Sequence, residues 1–149
     1  MFIPDDLYWK ICQVMPIPCV DLLVSDARGR VLLVKRKNEP AAGQWWFPGG
    51  RVHYLETREN AALRKLKEEC GIEAVAIKEV GTFDVILDGS AMRLWSHGIT
   101  TLFHVCVVDS HPLTLDRQSV AADWRLPEDW KRESLHFFVR EGLNLTSPK

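Results

Sequence analysis

The run from Glu56 to Ile72 constrains this chain more than any other stretch of its 149 residues. Leu63, Leu66 and Cys70, with Ala62, recur at the three- and four-residue spacing that gathers side chains on one face of a helix. That spacing predicts a helix from about Glu56 to Cys70, with Leu63 and Leu66 toward a core. Gly71 stops it, because glycine tolerates the left-handed backbone of a helix C-terminus. The same helix is heavily charged: Arg64 falls beside Glu68, and Lys65 beside both Glu68 and Glu69. Two adjacent carboxylates at a helix C-terminus are unfavourable, since the helix dipole already places negative charge there. Something positive should offset them. One candidate is Mg²⁺, which takes carboxylate and carbonyl oxygens and bridges to phosphates. The other is a solvated, salt-bridged face, which is what charge runs usually are.

Around this helix the chain reads as a single domain over residues 1–149. A hydrophobic content of 46% is enough to bury a core without staples. A net charge of -1 gives no sign of a nucleic-acid or membrane-surface partner, although local arginines can still hold a small anion. Cys12, Cys19, Cys70 and Cys106 are scattered without a CxxC pair, which argues against zinc and for free thiols in a reducing, cytoplasmic setting. The N-terminus lacks the basic and apolar regions of a signal peptide. No apolar run is long enough to span a bilayer.

Pro4-Asp5-Asp6 suits a first helical turn and predicts a short helix to about Val14. Cys19 to Ser25 and Val31 to Lys37 read as strands joined by a turn at Asp26-Ala27-Arg28-Gly29. A loop from Asn38 to Gln44 leads to Trp45-Trp46-Phe47-Pro48, Gly49-Gly50 and a short extended piece, Arg51-Val52-His53. Ile72 to Leu87 and Ile99 to Val108 read as strands, with a turn at Asp88-Gly89-Ser90 between them. Asp109 to Ala122 reads as a long loop, Asp123 to Leu126 as a short strand. A last helix runs from Pro127 or Ser134 toward Glu141, with Gly142 past its end. The expected architecture is α/β (α+β), one mixed sheet between helices.

Gly50, five residues, Glu56, seven residues, Arg64, then Leu66, Glu68-Glu69, Gly71 and Ile72 resembles the signature of the Nudix hydrolases. That signature is Gly, five residues, Glu, seven residues, Arg-Glu, an aliphatic residue, any residue, Glu-Glu, any residue, Gly, an aliphatic residue. The one clear departure is Lys65, where the pattern has Glu. An ammonium cannot ligate a metal, so the expectation is one essential Mg²⁺ (Mn²⁺ substituting) rather than a cluster. Lys65 is left to pair with a phosphate oxygen or with Glu69.

Outside the signature, Met1-Phe2, the approach from Pro18 to Asp21, Leu32 to Arg36, Pro40 to Trp45, Pro48 to Val52 and Ile99-Thr100-Thr101 are similar to the GDP-mannose mannosyl hydrolases of that family. That subgroup also lacks the Glu that Lys65 replaces. The resemblance implies a nucleotide-sugar substrate, with Asp21 on sugar hydroxyls, Arg36 and Arg51 on phosphates, and Arg64 neutralising the diphosphate. It implies Mg²⁺ on Glu69 and the Gly49 carbonyl, with Gln118 as a further ligand. The reaction would be displacement by water at the sugar's anomeric carbon, with GDP leaving.

The subgroup's base is a His following the metal-binding Gln, and here Ser119 follows Gln118; His97, His104 and His111 lie elsewhere. Glu68 is then a metal ligand or the base, within a catalytic set of Arg64, Glu68 and Glu69. Of the tryptophans, core packing is the expectation for Trp45, Trp46, Trp95, Trp124 and Trp130, with Trp45 the best base-stacking candidate. Tyr8-Trp9 leaves open a homodimer contact or a cap on the domain. Two other readings stand beside this one. The first is a pyrophosphatase attacking phosphorus in a nucleoside diphosphate derivative or triphosphate. The second is a non-catalytic nucleotide-binding domain.

Overall fold

In the computed structural model, which describes residues 2–88, 95–108 and 119–146, α1 spans Asp5–Val14. Pro4 precedes it, and Asp5 and Asp6 lie in its first turn. Strands β1 (Ile17–Ser25) and β2 (Val31–Arg36) follow. The turn between them is held by the Asp26 carboxylate, which accepts the Arg28 and Arg30 backbone N–H groups at 3.0 and 2.9 Å. Gly29 supplies the left-handed residue that this turn requires, at φ 75°.

Two short strands, β3 (Trp45–Trp46) and β4 (Gly49–Arg51), lead to α2 (Arg58–Cys70). The long strands β5 (Ala76–Leu87) and β6 (Ser96–Cys106) come next, then β7 (Ser119–Arg125), α3 (Pro127–Trp130) and α4 (Phe137–Asn144). The seven strands form one sheet whose main path is β3-β2-β1-β6-β5, with β4 also on β1 and β7 also on β2. β1 and β6 are parallel, from Ile17 opposite Gly98 to Ser25 opposite Cys106, while the other pairs are antiparallel.

Alternation along β1 divides the core. Val20, Leu22 and Val24 join Ala61, Ala62, Leu66 and Cys70 of α2, and Leu23 joins Trp130, Phe138, Val139 and Leu143 of α3 and α4. Side chains two apart on a strand share a face, so helices cover both faces of the sheet. β1 and β2 are paired at one register position, Ser25 opposite Val31. Beyond it they diverge, β1 onto β4 and β2 onto β3 and β7.

Several local expectations are corrected. Helix α2 begins at Arg58 rather than Glu56. Thr57 is the cap, its hydroxyl accepting the Asn60 N–H at 3.2 Å. Leu66 is buried but Leu63 is 38% exposed, because the buried face runs through Ala61, Ala62, Lys65, Leu66, Glu69 and Cys70. Gly71 does end the helix, at φ 67°.

Ser119 to Ala122 belong to β7 rather than a loop, since β2 offers them a free edge. Gly142 lies inside α4, not past it. A Cβ there would come 2.7 Å from the Phe47 ring, so the glycine serves close packing rather than termination. Trp95 is 62% exposed and packs in no core. Gly89, Ser90, His111 and Gln118, with residues 109–118 of the expected loop, lie outside the described residues. Among the described residues no helix is long and apolar enough to cross a membrane.

Candidate active site

Where β1 and β2 part, a cleft of about 710 Å³ opens. Cys19 and Asp21 of β1, Arg36 of β2, Gly49 to Arg51 of β4, and Arg64, Lys65, Glu68 and Glu69 of α2 line it. The sheet divergence and the charged end of the helix thus meet at one place.

Arg64 is fixed by its neighbours. Nε donates to Glu56 Oε1 at 2.7 Å and Nη2 to Glu56 Oε2 at 2.9 Å, a two-pronged pair. Nη2 also donates to the Arg51 carbonyl at 3.0 Å, and Nη1 to Glu68 Oε2 at 3.2 Å. The Arg64 hydrogen bonds lower the Glu56 pKa to about 2, and the His53 backbone N–H adds to this. Arg64 therefore ties β4 and the loop after it to α2. The diphosphate-neutralising role implied for it would have to share a guanidinium whose donors are largely committed.

The next residue, Lys65, is 9% exposed. Its Nζ lies 2.7 Å from Glu69 Oε1 and 3.7 Å from Glu68 Oε2. Glu69 Oε2 accepts the Gly49 backbone N–H at 3.1 Å. Close approach to backbone requires Gly49, whereas at Gly50 the near neighbour is the Lys65 side chain. A Cβ on Gly49 would strike the Val20 carbonyl and lie 2.7 Å from Asp21 Oδ1, and one on Gly50 would lie 2.8 Å from Lys65 Cε.

Asp21 is buried, and Thr100 Oγ1 donates to its Oδ2 at 2.6 Å. Desolvation raises its pKa to about 7, against the lowering effects of Thr100, Arg36 and a hydrogen bond from Trp46, while nearby Glu69 raises it further. Arg36 holds the adjacent wall, with Nε donating to the Pro40 carbonyl at 2.8 Å.

The structure thus gathers Asp21, Arg36, Arg51, Gly49, Arg64, Glu68 and Glu69 into one cleft. Trp45 does not join them. Its ring packs 5.0 Å from Trp130, with Arg125 and Lys35 each 5.8 Å from its centroid, while the neighbouring Trp46 lines the cleft. Adjacent strand residues point to opposite sides, so the choice between the two indoles depended on register. Trp46, expected in the core and buried there, also lines the cleft, as do Thr100 and His53, to which the sequence assigned no role. Only the Trp46–Val34 pairing and the parallel β1–β6 register bring the first two to Asp21. Burial lowers the pKa of His53.

The oxygens expected to hold Mg²⁺ can be compared with this geometry. Among the described residues no three His, Cys, Asp or Glu side chains gather as a metal-binding group. The Lys65 ammonium already stands against both Glu68 and Glu69. With that ammonium in place, these residues do not fit a divalent ion between the two carboxylates.

The fold and cleft define a class, and comparison with known proteins gives the same one. Residues 15–144 match the NUDIX domain, and the chain belongs to the Nudix hydrolase family. The chain is 37% identical over 118 residues to the low-salt glycan biosynthesis protein Agl8 of Haloferax volcanii, covering 78% of this chain and 74% of that one. Among solved structures it is similar to a MutT NUDIX hydrolase from Burkholderia pseudomallei. That match has a TM-score of 0.75 and 26% identity, and covers 89% of this chain and 99% of the other. The NUDIX domain of Shewanella oneidensis NrtR, solved with ADP ribose, shares the fold at a TM-score of 0.69 and 21% identity, covering 96% and 98% of the two chains.

Proposed function

We propose that this Nudix hydrolase acts on a nucleoside diphosphate sugar, with GDP-mannose as the substrate to test first and GDP and mannose as products. The observation that carries the reading is the cleft itself, where Arg36, Arg51 and Lys65 stand beside a buried carboxylate, Asp21. Guanidinium groups suit phosphate oxygens. A carboxylate in a partly apolar wall suits sugar hydroxyls, which donate to it. The similarity to a glycan biosynthesis protein accords with a sugar nucleotide.

In this reading water attacks the anomeric carbon, the bond from that carbon to the β-phosphate oxygen breaks, and the diphosphate leaves with the electron pair. Arg36 and Arg51 stabilise the charge that grows on the leaving group. Two cleft groups compete for the water's proton. Glu68 is half exposed but held by Arg64 and Lys65, and His53 has its pKa lowered by desolvation. The greater kcat loss between Glu68→Gln and His53→Ala identifies the base.

The decisive experiment is hydrolysis of GDP-mannose in ¹⁸O water, with and without Mg²⁺ or Mn²⁺. Label in mannose supports the proposal. Label in phosphate, with GMP and mannose phosphate as products, supports attack at phosphorus, the second reading, which the adjacent Glu68 and Glu69 carboxylates favour. Binding of GDP-mannose without turnover under any divalent ion would defeat both. Glu69→Gln, which breaks the link from Lys65 to Gly49, should nearly abolish turnover.

A further inference from the structure

The residue that departs from the family signature occupies a chemically specific place. Lysine is rarely buried unless paired, and Lys65 is 9% exposed. Its ammonium lies 2.7 Å from one oxygen of Glu69, whose other oxygen takes the Gly49 N–H. Its 3.7 Å approach to Glu68 draws in the second carboxylate. The aliphatic chain passes so close to Gly50 that a Cβ there would meet Cε at 2.8 Å and Nζ at 3.2 Å. The lysine is therefore threaded between β4 and α2 rather than lying on the surface.

Mg²⁺ binds carboxylate oxygens at about 2.1 Å. An ion on Glu69 Oε1 would thus sit within about 5 Å of Nζ, given the 2.7 Å ion pair. A dication and an ammonium at that range repel, and the ammonium already offsets part of the charge that would attract the dication.

We propose that Lys65 is a tethered cation that takes the place of one divalent ion. It offsets part of the charge of Glu68 and Glu69, keeps Glu69 against the Gly49 amide, and places an ammonium at the wall of the cleft. The free protein consequently holds divalent ions weakly. This rests on the hydrolase reading for its purpose but not for its test, which needs no substrate.

Mn²⁺ alone is titrated into the full chain without nucleotide, by calorimetry and by the electron paramagnetic resonance of free Mn²⁺. Lys65→Glu should bind Mn²⁺ at least tenfold more tightly than the wild type. Lys65→Arg, which keeps the cation, should stay as weak as the wild type. If Lys65→Glu does not fold, Lys65→Gln removes the charge at similar length and should still gain affinity several-fold. Equal Mn²⁺ stoichiometry and affinity in the wild type and the charge-removing variants overturns the proposal. Failure to hydrolyse GDP-mannose would sink the substrate reading and leave this titration unaffected.

Discussion

Replacing Asp21 by Asn is expected to stabilise the protein, and increasingly so as pH rises. Burial lifts the pKa of this carboxyl from 3.8 to about 7 in the folded state. A raised acid pKa means that the folded chain binds the proton more tightly than the unfolded chain, so stability falls as pH climbs between the two values. Below about pH 4 there is no penalty, and above about pH 7 it is complete. At 1.36 kcal/mol per unit, about three units correspond to a full penalty on the order of 4 kcal/mol.

Asn keeps the shape and an oxygen for Thr100 Oγ1 but carries no charge. The stability gain of Asp21→Asn should therefore grow by about 2–3 kcal/mol between about pH 5 and pH 8.5. Urea unfolding of both proteins across that range gives the number directly. A difference that does not change with pH would refute the reasoning, because it would mean that Asp21 stays ionised throughout. The same variant should lose substrate affinity if Asp21 accepts from sugar hydroxyls, a stability–function trade that burial of a charged group at a site produces.

The other predictions concern parts of the site that hold it in shape. Glu56→Gln should cost on the order of 1–2 kcal/mol at neutral pH by weakening the Arg64 pair. Because the Glu56 pKa is depressed to about 2, that deficit is present above about pH 4.5 and fades as pH falls toward 2, which acid titration of both proteins would show. Gly142→Ala should destabilise by about 1–3 kcal/mol, since its Cβ meets the Phe47 ring at 2.7 Å; thermal unfolding checks it, and an unchanged Tm would mean that the helix slides freely. Trp45→Ala should lower stability while leaving KM nearly unchanged. Trp46→Phe should instead raise KM, because it removes the indole hydrogen bond to Asp21.

Much of the helix chemistry could be read from residue order alone. The three- and four-residue spacing on α2 placed Lys65 against Glu68 and Glu69 before any fold was known, and the ion pairs at 3.7 and 2.7 Å follow from it. Gly71 as the helix stop, Asp26 to Gly29 as a turn, and the mixed sheet between helices were legible for the same reason: each depends on contacts within a few residues or on the periodicity of one element. Gly142 misled because one residue type serves two purposes, helix termination and close approach, and only the packing of Phe47 decides between them.

The sequence by itself determined that a charged helix end with two carboxylates and a lysine would exist. It did not determine what that end faces. The parting of β1 and β2, the β1–β6 register that sets Thr100 on Asp21, and the alternation that sends Trp46 rather than Trp45 into the cleft are contacts between residues far apart in the chain. So is the burial that lifts the Asp21 carboxyl. Desolvation is a property of everything packed around a group, and no local pattern encodes it. Tertiary structure therefore decided the site's electrostatics, turning the lysine that breaks the signature into a buried counter-ion at its centre.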